Sequence, residues 1–387
     1  MEKKINPNKM KILLCFGTRP EAIKMAPLII KCKQYPNLFT VKVCLTAQHR
    51  QMLDQVMAFF NITADYDLNL MKPNQNLHSL TADIIVALKP IYEEFKPNWV
   101  LVHGDTTTST SAALAAFYSG ISVAHVEAGL RTFNKLAPFP EEMNRNITGR
   151  IADLHFAPTK TSKQNLLNEA INSASIFITG NTVIDALKLG LSIVNEAENN
   201  EIVQLKSIVD FNKKIILVTG HRRENFGEGF ENICAALQSI AKKYPNDVEI
   251  VYPVHLNPNV QIPVNKLLAN EANIKLVQPL NYEAFIWMMN KSYLIITDSG
   301  GVQEEAPSLG KPVLVMRDIT ERPEAVEAGT VILVGTNQLK ITETACKLLD
   351  NKDYYTQMSG KHNPYGDGLA SDRIVKILNE EKVIEYA

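Results

Sequence analysis

Residues 125–145 read HVEAGLRTFNKLAPFPEEMNR and follow the short apolar run GISVA. Glu127, Glu141 and Glu142 stand there with Arg131 and Arg145, just beyond a strand-like segment. A solvated loop accounts for charge, but not for acids and bases placed where a strand leaves the core. Carboxylates in that position can move protons or stabilise a developing cation, and arginines can hold them ionised and oriented. Glu142 and Arg145 also fit plain helix-start charges, and Pro138 and Pro140 stiffen the connecting loop. Farther along, GHRREN gathers His221, Arg222, Arg223 and Glu224, and the apolar run VYPV leads to His255. A histidine beside two arginines suits acid–base work or a phosphate. In TDSGGVQEEAPSLGKPV an apolar run gives way to Ser299, Gly300 and Gly301, with Glu304 and Glu305 one turn later. Unpaired N–H groups at such a helix start hold phosphate, glycines admit a ligand to the backbone, and a carboxylate one turn on suits ribose hydroxyls. Read alone, the same residues also make a tight strand-to-helix turn with solvated glutamates. Arg19 and Lys24 open the first helix, where a guanidinium fork suits phosphate, although solvated helix charges would look the same.

Other chemistries find no footing. SLGKP has neither the upstream glycine nor the following Ser or Thr of a Walker loop, and FGEGFEN lacks the third glycine of a dinucleotide fingerprint. No HExxH, GxSxG or paired metal-ligand spacing is present, so no metal is expected. His103 and Asp105 in HGD do not change this, since His103 is expected to point into the sheet.

The elements that position these residues are legible as short apolar runs alternating with helical segments. The first half offers KILLCF, VKVCLT, NWVLVHG, ISVAHV and DLHFAP; the second offers SIFITG, KIILVTG, VEIVYPV, IKLVQP, YLIITDSG and PVLVM. Between them lie helical patterns such as 77–95, 230–244 and 281–290. This alternation predicts parallel sheets covered by helices. In such sheets ligands gather at the carboxyl ends of strands, where Gly17-Thr18-Arg19, Gly104-Asp105, Glu127, Gly220-His221, His255 and Asp298-Ser299 all fall. The polar stretch 195–207 reads as a frayed helix end, and a domain boundary is expected near Gly180.

The length, 387 residues, exceeds one ordinary core, and the net charge of −1 does not suit a nucleic-acid binder. The cysteines, 5 in all, are widely spaced with no CxxC, which speaks for a reducing, cytoplasmic setting. No segment has the apolar length of a membrane span.

FGTRPEAIKMAPL, TAQHRQMLDQV, HGDTTTS, HVEAGLRT, PEEMNR, GNTVIDAL, VTGHRREN, YPVHLNPNV and TDSGGVQEEAPSLGKPVLVMRDITERPEAVEAGT closely resemble the bacterial non-hydrolysing UDP-N-acetylglucosamine 2-epimerases, over almost the whole chain. The resemblance implies two Rossmann-like α/β domains in the glycosyltransferase-B arrangement, with the active site in the interdomain cleft. They would span 1–179 and 180–367, and a final helix at about 368–387 would return to the first. It implies a homodimer and reversible conversion of UDP-GlcNAc to UDP-ManNAc with no cofactor, feeding envelope polysaccharide. The chemistry expected is loss of UDP to a 2-acetamidoglucal and its re-addition. By motif match the functional acids fall on Asp105, Glu127 and Glu141 and the functional histidine on His221. The UDP-contacting positions fall on Arg19, Ser299, Gly300, Gly301 and Glu305; Lys24, Arg222 and His255 join these as substrate-binding candidates from their own charge and place in the clusters above. A regulatory second UDP-GlcNAc would involve Gln48 and Gln51. The chain departs from the pattern at Asn74, where some regulated members carry Arg, and at Phe139, where Trp is common. The competing readings are a 2-epimerase of a related UDP-diacetamido sugar, a glycosyltransferase, which needs an acceptor, and a non-catalytic nucleotide-sugar sensor.

Overall fold

The computed structural model describes residues 9–46, 50–72, 75–197 and 199–386. The chain forms two units, one running through Ala186 and resuming at Tyr365, the other Leu187–Pro364. The first holds a seven-stranded sheet of β1 (Met10–Phe16), β2 (Phe39–Leu45), β3 (Tyr66–Asp67), β4 (Trp99–His103), β5 (Ser122–Val126), β6 (Leu154–Ala157) and β7 (Ile176–Ile178). The second holds a six-stranded sheet of β8 (Lys214–Thr219), β9 (Val248–Pro253), β10 (Ile274–Val277), β11 (Leu294–Thr297), β12 (Val313–Val315) and β13 (Val331–Leu333). The strand pairs are parallel, and the central strands read as continuous apolar runs because helices cover both faces. Ile12 to Phe16 in β1 and Ile215 to Val218 in β8 are buried throughout.

The orders are β3-β2-β1-β4-β5-β6-β7 and β10-β9-β8-β11-β12-β13. Each unit therefore winds one way from its first strand and the other way from its fourth, the Rossmann order. The reversal lies between β1 and β4 in one unit and between β8 and β11 in the other. The loops leaving those strands diverge to opposite faces and leave a crevice at their carboxyl ends.

Three sequence expectations need correction or completion. SIFITG, grouped with the second half, is β7 and pairs with β6 in the first sheet. The stretch 195–207 is no frayed end: a separate helix, Asn200–Ile208, is started by Asn199, whose side chain accepts the Ile202 N–H at 2.9 Å, and is anchored by buried Ile202 and Leu205. The short strands β3 and β13 went unseen. The helix Ala370–Leu378 belongs to the first unit, where Asp185 takes the Ala370 and Ser371 N–H groups at 3.2 and 2.7 Å and Lys31 pairs with Asp372 at 2.9 Å. Beyond it, Tyr386 donates its N–H to the Ile178 carbonyl at 2.9 Å and the Glu385 carboxylate takes the Ile178 N–H at 3.1 Å, which covers the exposed edge of β7. All five cysteines are buried thiols, and among the described residues no helix is long and apolar enough to cross a membrane.

Within the first sheet, His125 and His155 face each other across β5 and β6. Burial, the largest cause, lowers the imidazoles to about 3 and about 4, from 6.5. Both are neutral in the fold but take up protons on unfolding below pH 6.5. Their contribution to stability is complete above that pH and is lost as pH falls toward the folded values. From pH 6.5 to about 5, before most carboxylates titrate, each should cost about 2 kcal/mol. Urea unfolding across that window should show the slope, and His155→Gln should reduce it; parallel profiles for the variant and the parent would contradict this assignment.

Candidate active site

At the first reversal, Gly17 ends β1 against the next strand so closely that a Cβ there would lie 2.0 Å from Thr46 Oγ1. Thr18 then caps the helix Arg19–Lys33 in a capping box with Glu21. Glu21 is buried, and one carboxylate serves two loops. Its Oε2 accepts the Gly17 and Thr18 N–H groups at 3.0 and 2.8 Å and the Thr18 hydroxyl at 2.8 Å. Its Oε1 accepts the hydroxyls of Thr106 and Ser109, beyond β4, at 2.7 and 3.2 Å. The loops bearing Arg19 and Asp105 are thus fixed to each other.

One turn into the helix, Lys24 forms an ion pair with Glu127, the residue after β5. Asn181 Nδ2 donates to the same oxygen, Glu127 Oε2, at 2.7 Å, and His103 Nε2 lies 3.6 Å from it. His103 is buried as expected, but it faces this carboxylate rather than the sheet alone. Glu127 sits at φ +62°, a conformation that costs a non-glycine residue and is kept where its surroundings over-determine it. Burial alone would raise its carboxyl, but Lys24 and then His103 outweigh that and hold it well below the usual carboxylate range.

Asp105 follows β4 and is gripped by Arg145, while its carbonyl accepts the Asn144 side chain at 2.9 Å. Arg145 also reaches Glu142 at 3.1 Å. Glu142 is no solvated helix-start charge: it is 2% exposed, and its oxygens accept the N–H groups of Thr132 and Phe133 at 3.1 and 3.0 Å, folding the preceding loop back onto the helix Glu141–Ile151. The two arginines of the motif part company. Arg131 forms a two-pronged pair with Glu169 at 2.6 and 2.8 Å and touches none of the expected acids. The side chain of Glu141, first in its helix, makes no hydrogen bond or ion pair with a described residue.

In the second unit, Asp298 plays the organising part at the reversal. Wholly buried, its Oδ2 accepts the His221 and Arg222 N–H groups, both at 2.8 Å, and its Oδ1 lies 3.4 Å from His221 Nδ1. The His221 and His255 rings stack with centroids 5.5 Å apart. Burial lowers the His221 imidazole; Asp298 opposes this, and His255 and Arg222 add to it, so the ring is neutral near pH 7. Ser299 precedes the short helix Gly300–Glu305, whose Glu304 is buried and paired with Arg322. A Cβ on Gly300 would lie 3.8 Å from the Arg322 guanidinium, which places that cation beside the glycine turn.

The expected residues therefore assemble within each unit. Asp105 and Glu127 lie at strand ends of the first sheet, with Lys24 one turn into the helix that follows β1. His221, Arg222, His255, Ser299, Gly300 and Gly301 lie at strand ends of the second, and Glu305 closes the short helix that Gly300 opens. Lys24, expected on the substrate, is engaged by Glu127. Arg19 Nη1 rests 4.0 Å from Met52 Sδ. Gln48 and Asn74 lie outside the described residues, and Gln51 falls on the helix Arg50–Phe59. Glu21, Asn181 and Arg322 were missed as site builders, although each lies inside a quoted motif; Asp298 was placed at a strand end without its organising part. Among the described residues no cluster of His, Cys, Asp and Glu could hold a metal. A groove of about 570 Å³ lined by Pro97, Tyr118 and Ile121 lies at the opposite ends of β4 and β5 and contains none of these residues.

The family model for UDP-N-acetylglucosamine 2-epimerase matches residues 31–379. A UDP-N-acetylglucosamine 2-epimerase of Yersinia pestis is 57% identical over 97% of this chain and 100% of its own length. One from Campylobacter jejuni is 58% identical over 96% and 98%. The crystal structure of UDP-GlcNAc 2-epimerase from Neisseria meningitidis bound to UDP-GlcNAc superposes with a TM-score of 0.86 at 53% identity, over 96% of this chain and 100% of that one.

Proposed function

The chain belongs to the UDP-N-acetylglucosamine 2-epimerase family, and from that premise we propose that it interconverts UDP-GlcNAc and UDP-ManNAc by eliminating UDP and adding it back. The C2 hydrogen of an N-acetylhexosamine is not acidic, because no carbonyl is attached to that carbon. It becomes acidic as the C1–oxygen bond to UDP stretches and positive charge grows at C1. A base takes the C2 proton, the C–H electron pair becomes the C1–C2 double bond of 2-acetamidoglucal, and UDP leaves with the C1–oxygen pair. Return of UDP to C1 with protonation of C2 on the other face gives the epimer. Nothing is oxidised or reduced overall.

The observation that carries this reading is the Glu127 cluster. A carboxylate held ionised at a strand end by Lys24, with Asp105 held beyond the adjacent strand by Arg145, suits a cationic transition state and the movement of a proton. Asp105, Glu127 and Glu141 are the acids we assign to the sugar, with His221, Arg222 and His255 serving the departing diphosphate. Arg19, Ser299, Gly300, Gly301 and Glu305 are assigned to UDP. The same reading carries a homodimer, a cytoplasmic site of action, supply of ManNAc-derived sugars to envelope polysaccharide, and a second UDP-GlcNAc acting through Gln48 and Gln51; the motif resemblance supports these.

The test is incubation of pure protein with UDP-GlcNAc, without acceptor or nicotinamide, followed by NMR. Signals of UDP-ManNAc are expected. Turnover only with an added acceptor would favour a glycosyltransferase, and no turnover except with a diacetamido sugar would move the substrate.

A further inference from the structure

Asn181 stands where the chain is about to leave the first unit, and its backbone N–H and both ends of its side-chain amide are committed. Its backbone N–H donates to the Tyr365 carbonyl at 2.6 Å, on the segment by which the chain re-enters that unit. Its Oδ1 accepts the Val183 N–H at 3.0 Å at the start of the helix Thr182–Glu196. That bond settles the orientation of the amide, so Nδ2 is the group turned to Glu127 Oε2 at 2.7 Å. The backbone is equally fixed: a Cβ on Gly180 would lie 3.2 Å from the Gly366 Cα, and one on Gly366 would lie 3.4 Å from the Asn181 nitrogen. Glycines at both places let the leaving and returning segments touch.

Lys24, Asn181 and His103 all approach the one oxygen, Oε2. Oε1, on the Gly104 side, has no hydrogen-bond donor among the described residues. We infer that Asn181 is a positioning residue for the reaction: it fixes Oε2 of Glu127 so that Oε1 alone is presented for chemistry, and it anchors that choice at the junction of the leaving and returning segments. Lys24 supplies charge, but its flexible stem does not choose between two oxygens; a short amide held at its backbone and at Oδ1 does. Among the described residues, the titratable and charged groups facing Glu127 are Lys24 from the first helix and His103 from β4.

This rests on the proposed epimerase activity, and the test separates the two. Asn181→Ser keeps an oxygen able to cap the Thr182–Glu196 helix but is too short to reach Glu127. Asn181→Asp keeps the cap and turns the donor into a like charge. Asn181→Ser should fold with an unfolding midpoint near that of the parent, and Asn181→Asp, which buries a second carboxylate against Glu127, with a lower one. On UDP-GlcNAc, kcat should fall about tenfold to 10²-fold with KM changed less than about threefold. The acid limb of the kcat profile should rise by about half to one pH unit in Asn181→Ser, and farther in Asn181→Asp, because Glu127 loses a donor to its ionised form. An active parent with an inactive Glu127→Gln but unaltered Asn181→Ser, or a fall in kcat with an unmoved acid limb, would overturn the inference alone. A parent that does not interconvert the two sugars would overturn the proposed function instead.

Discussion

Glu127→Gln should reduce turnover of UDP-GlcNAc by at least about 10²-fold, the scale of a positioned proton-transfer group. The replacement is closely defined by its neighbours. Lys24, Asn181 and His103 converge on one oxygen, so the glutamine must turn its carbonyl toward them and its NH₂ toward the Gly104 side. The side that held an acceptor then holds a donor, with the shape preserved. Asp105→Asn and Glu141→Gln should each fall on a similar scale if they move the proton. Rate alone does not separate a base from a group that stabilises the cation, but isotope exchange does. Inversion needs a proton removed from one face of C2 and delivered to the other, and an acid that exchanges with solvent during the lifetime of the glycal will deliver deuterium. In D₂O the product should therefore carry deuterium at C2. A variant that releases UDP and glycal yet forms no epimer identifies the acid for re-addition. Full activity in all three amide variants, or product without deuterium at C2, excludes this mechanism.

Arg145→Met should have the largest effect on stability. The side chains of Arg145 and Glu142 are 11% and 2% exposed, so removing the guanidinium strands a buried carboxylate. Breaking such a pair from one side costs about 3–5 kcal/mol. Glu142→Gln added to Arg145→Met should recover a large part of this, since the amide oxygen still accepts a backbone N–H from the 132–133 loop while the buried charge is gone. Turnover should stay low in the double variant, because Asp105 has lost its only ion-pair partner among the described residues. Urea unfolding and an epimerisation assay read the two effects separately. A single variant within about 1 kcal/mol of the parent would show that Glu142 is stable without its cation.

The strand ends were legible because a buried parallel strand is an apolar run that stops abruptly, and the residue after the stop faces the crevice. That logic reaches Gly17, Asp105, Glu127, His221, His255 and Ser299 directly. It fails for β3, whose 2 residues are too few to show a period, and for the edge strand β13. It also fails where charge looks ordinary. Glu142 lies in the first turn of a helix, where acids are common on the surface, and only the fold reveals the backbone groups it satisfies. Arg131 and Arg145 were equal candidates for holding the acids. The outcome depends on Glu169, which comes beside Arg131 only once β5 and β6 have paired. Glu21 meets Thr106 and Ser109 across 85 and 88 residues, a juxtaposition that periodicity and spacing do not encode.

The shared carboxylate of Glu21 also constrains how this chain can vary. Because it bonds groups on either side of the crevice, the turn after β1 and the turn after β4 form one heritable unit. A length change in either would misalign the acceptor for the other, so substitutions in the two turns should be tolerated in matched combinations rather than one at a time. Libraries that randomise residues 17–21 and 104–109 together should recover functional members that separate libraries miss, with Glu21 itself the position least free to change.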